Sequence, residues 1–343
     1  MTPTLRSGET RTLEPRRILI IKMSAIGDVA HTIPISFALH RRWPDAAIDW
    51  LVASPGAAYV ELLPWIERVF RFDLALGRRA TGAYRLRELV TALRGLDYDL
   101  VVDFQGLLRS SLWTVLCGAR LRLGRGRWPW LHESVPMYAP RITPHAIENT
   151  ARPLISLGLE PERVLDPFEA DAAEPLAERL GKLGRRALER LELEPPFWVW
   201  LTQSSWSSKT LEPHDVSRFP RSVTHLVIGD RAYRGTPLPE RGDWRDLSGL
   251  PLPETAGLCL LARRTIGVDT GPAHFAALVG ARIHGCFGPT SVERHGLRGP
   301  RARNFPGACT ACYRRRCRRA RQCLMRAVEH AVDFDPTGDD DAA

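Results

Sequence analysis

Residues 16–34 read RRILIIKMSAIGDVAHTIP and contain a complete strand–turn–helix pattern. The apolar run at 18–21 predicts a strand buried on both faces, which is typical of a parallel sheet. A helical pattern follows from about Asp28 to Arg42, so the stretch predicts the first βα unit of a doubly wound sheet. The turn has the position of a nucleotide-binding loop, but it lacks the glycine fingerprint and carries Asp28.

The same alternation of strands and helices runs through both halves of the chain. Further strands are predicted at 47–53, 96–106, 197–203, 222–230, 264–270 and 281–289. Further helices are predicted at 84–96, 174–191, 271–280 and 323–334. Strands that alternate with helices predict an α/β protein. We therefore expect two Rossmann-like doubly wound domains that face a central cleft.

The two patterns set the expected domain boundaries. We expect a disordered leader over 1–15, an N-terminal domain over 16–165, a C-terminal domain over 166–333 and a disordered acidic tail over 334–343. The leader lacks the apolar core of a signal peptide, and no apolar run approaches the roughly 18 residues that span a bilayer. These features predict a cytoplasmic protein.

The chain is basic, with a formal net charge of +9, and Lys22, Lys182 and Lys209 are its only lysines. An arginine-rich surface suits phosphates, carboxylates and anionic membrane faces. A genome that encodes arginine where others use lysine would give the same composition. Nucleic acid is not an expected partner, because aromatic and basic residues do not interleave and no nucleic-acid module is present.

The segment IGVDTGPAH, residues 266–274, predicts a phosphate-binding turn. A strand ends at Val268, and Pro272 fits the start of a helix. The backbone N–H groups around Gly271 would then point outward at a helix N-terminus, which favours an anion. A well-capped helix without a ligand is the alternative, since Asp269 and Thr270 are ordinary caps.

Three other strand ends carry polar side chains. Gly27, Asp28, His31 and Thr32 follow the first strand, and Asp103, Gln105 and Arg109 follow a second. The segment TQSSWSSK, residues 202–209, follows a third, and its hydroxyls and Lys209 could cradle a diphosphate without a metal. Taken singly, each of these is more commonly a polar loop or a helix cap.

Five segments together resemble the glycosyltransferases of family 9, the heptosyltransferases of lipopolysaccharide core synthesis. They are KMSAIGDVAHTIP (22–34), VVDFQGLLRS (101–110), HAIEN (145–149), SSWSSK (204–209) and VDTGPAHFAALVG with CFGPT (268–290). The similarity extends from about residue 16 to residue 333. It implies a GT-B fold whose C-terminal domain holds most of the donor.

This resemblance also implies the reaction and its partners. The donor would be ADP-heptose, and the acceptor a sugar of the lipopolysaccharide inner core. Transfer would invert the anomeric centre and require no cofactor. An enzyme with this acceptor is expected in peripheral contact with the inner face of the inner membrane.

The resemblance further assigns roles to residues at matching positions. Asp28 matches the general base that activates the acceptor hydroxyl. Acceptor-side positions are His31, Gln105 and Arg109. Donor-binding positions are Ser204, Ser205, Lys209, Asp269, Thr270, Gly271 and His274.

The chain departs from the family pattern after Lys209. Residues 210–222 and 231–249 are short and rich in proline, so a trimmed C-terminal domain is expected. This departure leaves two alternatives to ADP-heptose transfer. One is a family member with another nucleotide sugar and glycan acceptor, and the other is a nonenzymatic binding relative.

Four cysteines near the C-terminus have the spacing C-x2-C-x4-C-x5-C. Close thiols in a cytoplasmic protein favour a metal over disulfides. A structural zinc and an iron–sulfur cluster would both suit such ligands, and reduced free thiols are the alternative. The ligands would be Cys309, Cys312, Cys317 and Cys323.

Overall fold

The computed structural model describes residues 13–72, 86–135, 144–212, 215, 223–229 and 243–334. The chain folds into two compact units, and the division between them falls between Ala172 and Ala173. This division lies one short helix beyond the boundary predicted at 165. The predicted leader up to residue 12 and the predicted tail after Phe334 lie outside the described residues.

Unit 1 contains a six-stranded parallel sheet. Its strands are β1 Arg17–Ile21, β2 Ala47–Val52, β3 Arg68–Arg71, β4 Leu100–Asp103, β5 Leu121–Arg125 and β6 Glu133–Val135. Its helices are α1 Ile26–Arg42, α2 Ser54–Val60, α3 Leu86–Arg94, α4 Leu108–Leu116, α5 Ala146–Ala151 and α6 Leu165–Asp171, and 3₁₀ turns span Arg152–Leu157 and Pro161–Arg163. The strand order is β3-β2-β1-β4-β5-β6.

β1 lies in the middle of this sheet, between β2 and β4. Ile18, Leu19, Ile20 and Ile21 are all fully buried. Since successive side chains of a strand point to opposite faces, both faces of the sheet are covered here. The continuous apolar run therefore forms a strand that is buried on both faces, as its sequence predicts.

Unit 2 repeats this architecture. Its strands are β7 Phe197–Leu201, β8 Thr224–Ile228, β9 Trp244–Asp246, β10 Arg264–Val268, β11 Ile283–Phe287 and β12 Ala302–Pro306. Its helices are α7 Ala173–Leu191, α8 Leu252–Leu261, α9 Gly271–Leu278, α10 Val292–His295 and α11 Ala320–Asp333, and a 3₁₀ turn spans Ser207–Lys209. The strands are parallel, in the order β12-β11-β10-β7-β8-β9.

Two glycines let α7 and α8 cross at very close range. A Cβ atom on Gly184 would lie 2.5 Å from the carbonyl carbon of Gly257, and one on Gly257 would lie 2.6 Å from the backbone nitrogen of Gly184. No side chain fits at either position unless the helices move apart. The crossing covers one face of the unit 2 core, to which Leu258 and Cys259 of α8 contribute.

The expected trimming of the C-terminal domain does not extend to its sheet, which has six strands as in unit 1. β9 lies within the proline-rich segment 231–249, where no normal helix was expected. Most of residues 210–222 and all of 230–242 lie outside the described part of the chain. Among the helices that the structure describes, none combines the length and the apolar composition needed to cross a membrane.

Candidate active site

The two sheets share one topology. In each, the first strand lies near the centre, the next two extend to one edge, and the last three extend to the other. The strand order therefore reverses beside β1 in unit 1 and beside β7 in unit 2. Ligands of doubly wound sheets bind outside the carboxyl ends of strands at such a switch point. The loops after β1, β4, β7 and β10 occupy these places, and they carry the residues predicted from the sequence.

Asp28 lies in the first turn of α1, directly after the β1 loop. Its Oδ2 accepts a hydrogen bond from the backbone N–H of Ala25 at 3.2 Å. Its Oδ1 lies 3.7 Å from Nζ of Lys22, and 47% of the side chain is exposed. One oxygen thus supports the helix start, while the carboxylate as a whole stays accessible to a ligand.

Lys22, at the end of β1, is a site residue that was not predicted from the sequence. Its side chain is buried, and Nζ donates to the carbonyl oxygen of Phe104 at 3.3 Å. Burial lowers the pKa of Lys22, and the charge of Asp28 opposes this shift. The sequence did contain an indication of this role, since Lys22 directly follows the apolar run at 18–21. A lysine buried at the end of such a strand requires polar or charged partners nearby.

The loop after β4 is held by two side chains. Asp103 is fully buried. Its Oδ1 accepts from the backbone N–H groups of Gln105 at 2.9 Å and Gly106 at 3.1 Å, and its Oδ2 accepts from the Ser110 hydroxyl at 2.9 Å. Burial raises the pKa of Asp103 to about 6, although these hydrogen bonds lower it. Oε1 of Gln105 in turn accepts from the N–H groups of Met23 and Ser24, both at 3.1 Å. The β4 loop therefore fixes the loop that precedes Asp28.

The other two predicted acceptor-side residues have different surroundings. His31 lies one turn after Asp28 and is buried, with its ring edge-to-face against His145 at a centroid distance of 6.0 Å. His145 caps α5, since its Nδ1 accepts from the N–H of Ile147 at 3.2 Å. Arg109 is exposed in the first turn of α4. The structure thus groups Asp28, His31 and Gln105 around one loop, with Arg109 at its edge.

Asp269 is the centre of the unit 2 group. Its Oδ2 lies 3.0 Å from Nζ of Lys209 and accepts from the Thr290 hydroxyl at 2.8 Å, and its Oδ1 lies 3.1 Å from Nε2 of His274. Burial alone would raise the pKa of Asp269. The hydrogen bond from His274 and the charge of Lys209 outweigh burial and hold that pKa well below its ordinary value.

This network lies at the N-terminus of α9. Thr270 is the N-cap residue in extended conformation, Gly271 is the first helical residue and Pro272 the second. The N–H groups of a first helical turn have no partners within the helix, so they favour an anion. Ser204 joins the turn through its hydroxyl, which donates to the Asp269 carbonyl oxygen at 3.4 Å, while Ser205 is exposed.

A second set of contacts, not predicted from the sequence, supports Lys209. Its Nζ lies 4.6 Å from the ring centroid of Trp206, and the guanidinium of Arg315 lies 5.4 Å from the same centroid. The Ser208 hydroxyl donates to the Arg314 carbonyl oxygen at 2.6 Å. The arginine-rich segment after Cys312 is therefore anchored beside the predicted phosphate-binding turn. More than a hundred residues separate Ser208 from Arg314 in the chain, so no local pattern could have paired them.

The predicted four-cysteine metal site is not assembled. Within the part of the chain that the structure describes, no group of three or more His, Cys, Asp or Glu side chains could hold a metal ion. Cys323 is buried in the first turn of α11 and interacts with Cys309, whereas Cys309, Cys312 and Cys317 lie on a more exposed loop. The four thiols are free cysteines.

Comparison with known proteins adds independent evidence. The sequence profile of glycosyltransferase family 9 (heptosyltransferase) matches residues 247–323, which include the Asp269 turn and Thr290. Lipopolysaccharide heptosyltransferase 1 of Pseudomonas aeruginosa is 26% identical over 332 residues, which cover 88% of this chain and 87% of that protein. Among solved structures, Escherichia coli ADP-heptose lps heptosyltransferase II has a TM-score of 0.66 at 15% identity, over 92% of this chain and 98% of that one. E. coli heptosyltransferase WaaC with ADP has a TM-score of 0.60 at 18% identity, with the same coverage.

The sequence matches indicate a glycosyltransferase, and the fold is the GT-B architecture of the solved heptosyltransferases. The match to the family 9 profile and the similarity to a lipopolysaccharide heptosyltransferase agree with the resemblance that the sequence motifs carry.

Proposed function

We propose that the protein transfers heptose from ADP-heptose to a sugar of the lipopolysaccharide inner core, with inversion of the anomeric centre. The Asp269 network at the N-terminus of α9 is the observation that carries the proposal. It combines a lysine with the first-turn N–H groups of a helix at the switch point of unit 2, where a diphosphate would bind. Relatives that are heptosyltransferases, one of them solved with ADP, support the choice of donor.

In this proposal the donor diphosphate lies on the first turn of α9. Lys209, Ser204, Ser205, Thr270 and Gly271 contact its oxygens, and Asp269 and His274 hold Lys209 and the turn in place. Negative charge develops on the diphosphate as the bond to the sugar breaks. Lys209 and the helix N-terminus stabilise that charge, so the step requires no metal.

Asp28 is proposed as the general base. The acceptor oxygen forms a bond to the anomeric carbon, the bond from that carbon to the diphosphate oxygen breaks, and the acceptor proton passes to the Asp28 carboxylate. The ammonium of Lys22 lies 3.7 Å from Oδ1 and pairs with this carboxylate. Gln105 and Asp103 act as positioning residues, since they fix the loop before Asp28. His31 and Arg109 complete the proposed acceptor side.

ADP release tests this proposal. The purified chain is incubated with ADP-heptose and a Kdo–lipid A acceptor, beside Asp28→Asn and the matched control Asp45→Asn, which changes an exposed acid of the same unit. We expect Asp28→Asn to lower kcat by about 10²–10⁴-fold, as for other lost general bases. Asp45→Asn should react as the wild type.

Other ADP- and UDP-sugars form the second arm of the experiment. If nucleotide is released only with another sugar nucleotide, that compound is the donor in place of ADP-heptose. The proposed roles of the site residues would not change. Full activity of Asp28→Asn with ADP-heptose would overturn the assignment of the base. Because Asn preserves the shape of Asp, a matching thermal unfolding curve shows that the variant is folded.

A further inference from the structure

The exposed apolar side chains of unit 1 are concentrated on one side of α4. Leu108, Leu112 and Val115 are 51%, 43% and 40% exposed, and Leu107 just before the helix is 39% exposed. Positions 108, 112 and 115 follow the i, i+4, i+7 spacing, so they share one face of the helix. We name Leu107, Leu108, Leu112 and Val115 the α4 apolar face. A group of four exposed apolar side chains is uncommon on a soluble protein and indicates an interaction surface.

Two tryptophans lie against the beginning of the same helix. The indole N–H of Trp130 donates to the Ser111 carbonyl oxygen at 3.0 Å, and that of Trp128 donates to the Gly106 carbonyl oxygen at 3.3 Å. The two rings stack with centroids 5.8 Å apart. Both side chains are partly exposed. Indoles with one apolar edge and one satisfied N–H are typical of membrane interfaces.

Two exposed arginines border the α4 apolar face. The other three arginines of residues 104–132 do not contribute free surface charge, because Arg125 is buried, Arg122 donates to the Trp130 carbonyl oxygen and Arg120 pairs with Asp99. Arg109 in α4 and Arg127 beside Trp128 are exposed, and neither forms an ion pair with any residue that the structure describes. The α4 apolar face is therefore bordered by two exposed cationic side chains that no described acid pairs with.

We propose that the α4 apolar face, together with Trp128, Trp130, Arg109 and Arg127, docks on an anionic phospholipid bilayer. Leucine and valine side chains would enter the boundary between headgroups and acyl chains, and the arginines would contact lipid phosphates. A second copy of the chain fits this surface poorly, because a symmetric contact would place like charges together. The inference rests on the proposed function and deepens it, since α4 begins directly after the Gln105 loop and a lipid-anchored acceptor would meet that loop.

Vesicle co-sedimentation tests the docking surface without donor or acceptor. The full chain is mixed with vesicles of phosphatidylethanolamine and phosphatidylglycerol, and with vesicles of phosphatidylcholine alone. We expect binding to the anionic vesicles and a marked loss of binding at high salt, because charge screening weakens the arginine contacts. Leu112→Glu and Val115→Glu should each lower the partition coefficient by about tenfold or more, since a carboxylate on this face opposes both insertion and the lipid charge.

Ile155→Glu is the matched control, because Ile155 is 50% exposed in unit 1 but lies outside this surface. It should bind vesicles as the wild type does. Wild-type chain that stays in the supernatant with anionic vesicles, or a Leu112→Glu variant that binds unchanged, would overturn the proposal. A dimer in sedimentation velocity that Leu112→Glu abolishes would also overturn it, in favour of a second copy as the occupant.

Sugar transfer to two forms of the acceptor separates this inference from the proposed function. Leu112→Glu should retain activity on a deacylated, water-soluble acceptor and lose it on the acceptor embedded in vesicles. Vesicle binding without any sugar transfer would refute the proposed function and leave the docking surface standing. Transfer to both acceptor forms by Leu112→Glu at wild-type rates would refute the docking surface alone.

Discussion

At the scale of single residues, Asp269 accepts hydrogen bonds from Lys209, His274 and Thr290 while only 9% of its side chain is exposed. A buried carboxylate with three donors is stable as an anion, and it holds these side chains in one arrangement. Removing its charge would leave the Lys209 ammonium buried without its closest partner. Such losses are costlier than the loss of an exposed ion pair.

Asp269→Asn is therefore expected to lower the free energy of unfolding at pH 7 by about 3–5 kcal/mol. The folded-state pKa of Asp269 is lowered from its ordinary 3.8. Its stabilisation is fully present above that value and is lost as the pH falls towards the folded-state pKa. Urea unfolding at pH 7, 4 and 3 measures this effect. The difference in the free energy of unfolding between wild type and variant should become smaller as the pH falls. A difference that stays constant or increases would contradict the prediction.

The site was partly predictable from sequence at this scale. Asp28, Gln105, Lys209 and Asp269 follow strands with continuous apolar runs, and the carboxyl ends of such parallel strands lie at one edge of a sheet. The residues that were missed are Lys22, Trp206, Thr290 and Arg315. Their roles arise from tertiary contacts, such as the one between Arg315 and Trp206, that leave no local pattern in the chain.

At the scale of elements, the strands that were predicted from the sequence are the buried ones. β4, β7, β10 and β11 are buried throughout, so their sequences consist largely of apolar or small residues. β3, β6, β9 and β12 lie at sheet edges and read RVFR, ESV, WRD and ARNFP. Their short sequences contain charged or polar residues and lack a continuous apolar run, so these strands were not predicted. β5 lies inside the sheet and was also not predicted, because arginines and a glycine interrupt its two leucines. α8 was missed because Pro253 and Gly257 interrupt its pattern, although Gly257 is what the crossing with α7 requires.

The α7–α8 crossing provides a prediction at this scale. Gly184→Ala would place a methyl group 2.5 Å from the Gly257 carbonyl carbon, so the helices must separate. We expect a loss of about 1–3 kcal/mol in the free energy of unfolding, the usual cost of overpacking. Denaturant unfolding monitored by circular dichroism measures it.

Gly181→Ala in the same helix is the control. The nearest atom to its added methyl group would be a flexible arginine nitrogen at 3.6 Å, an ordinary contact. Its expected effect has the opposite sign, a gain of about 0.4–1 kcal/mol from lower chain entropy in the unfolded state. If the two substitutions changed the free energy of unfolding equally, the close helix crossing would not be what requires glycine at position 184.

At the scale of the whole molecule, the chain contains one topology twice, and each copy has its own apolar core. The partners of Asp269, namely Lys209, His274 and Thr290, all lie in unit 2. Residues 173–343 expressed alone should therefore unfold cooperatively and bind ADP with a Kd within about threefold of the full chain, which isothermal titration calorimetry measures. A fragment that folds without binding ADP would show that the proposed donor site needs residues of unit 1.

The separate anchoring of the two groups has a consequence for how such enzymes diversify. The loop before Asp28 is fixed by Gln105 and Asp103, and the turn at Asp269 is fixed by Lys209, His274 and Thr290. These two sets of hydrogen bonds share no residue. If the proposed roles hold, substitutions that change the loops beside Asp28 for a new sugar acceptor can accumulate without disturbing the proposed nucleotide site, so the two specificities can evolve as independent modules.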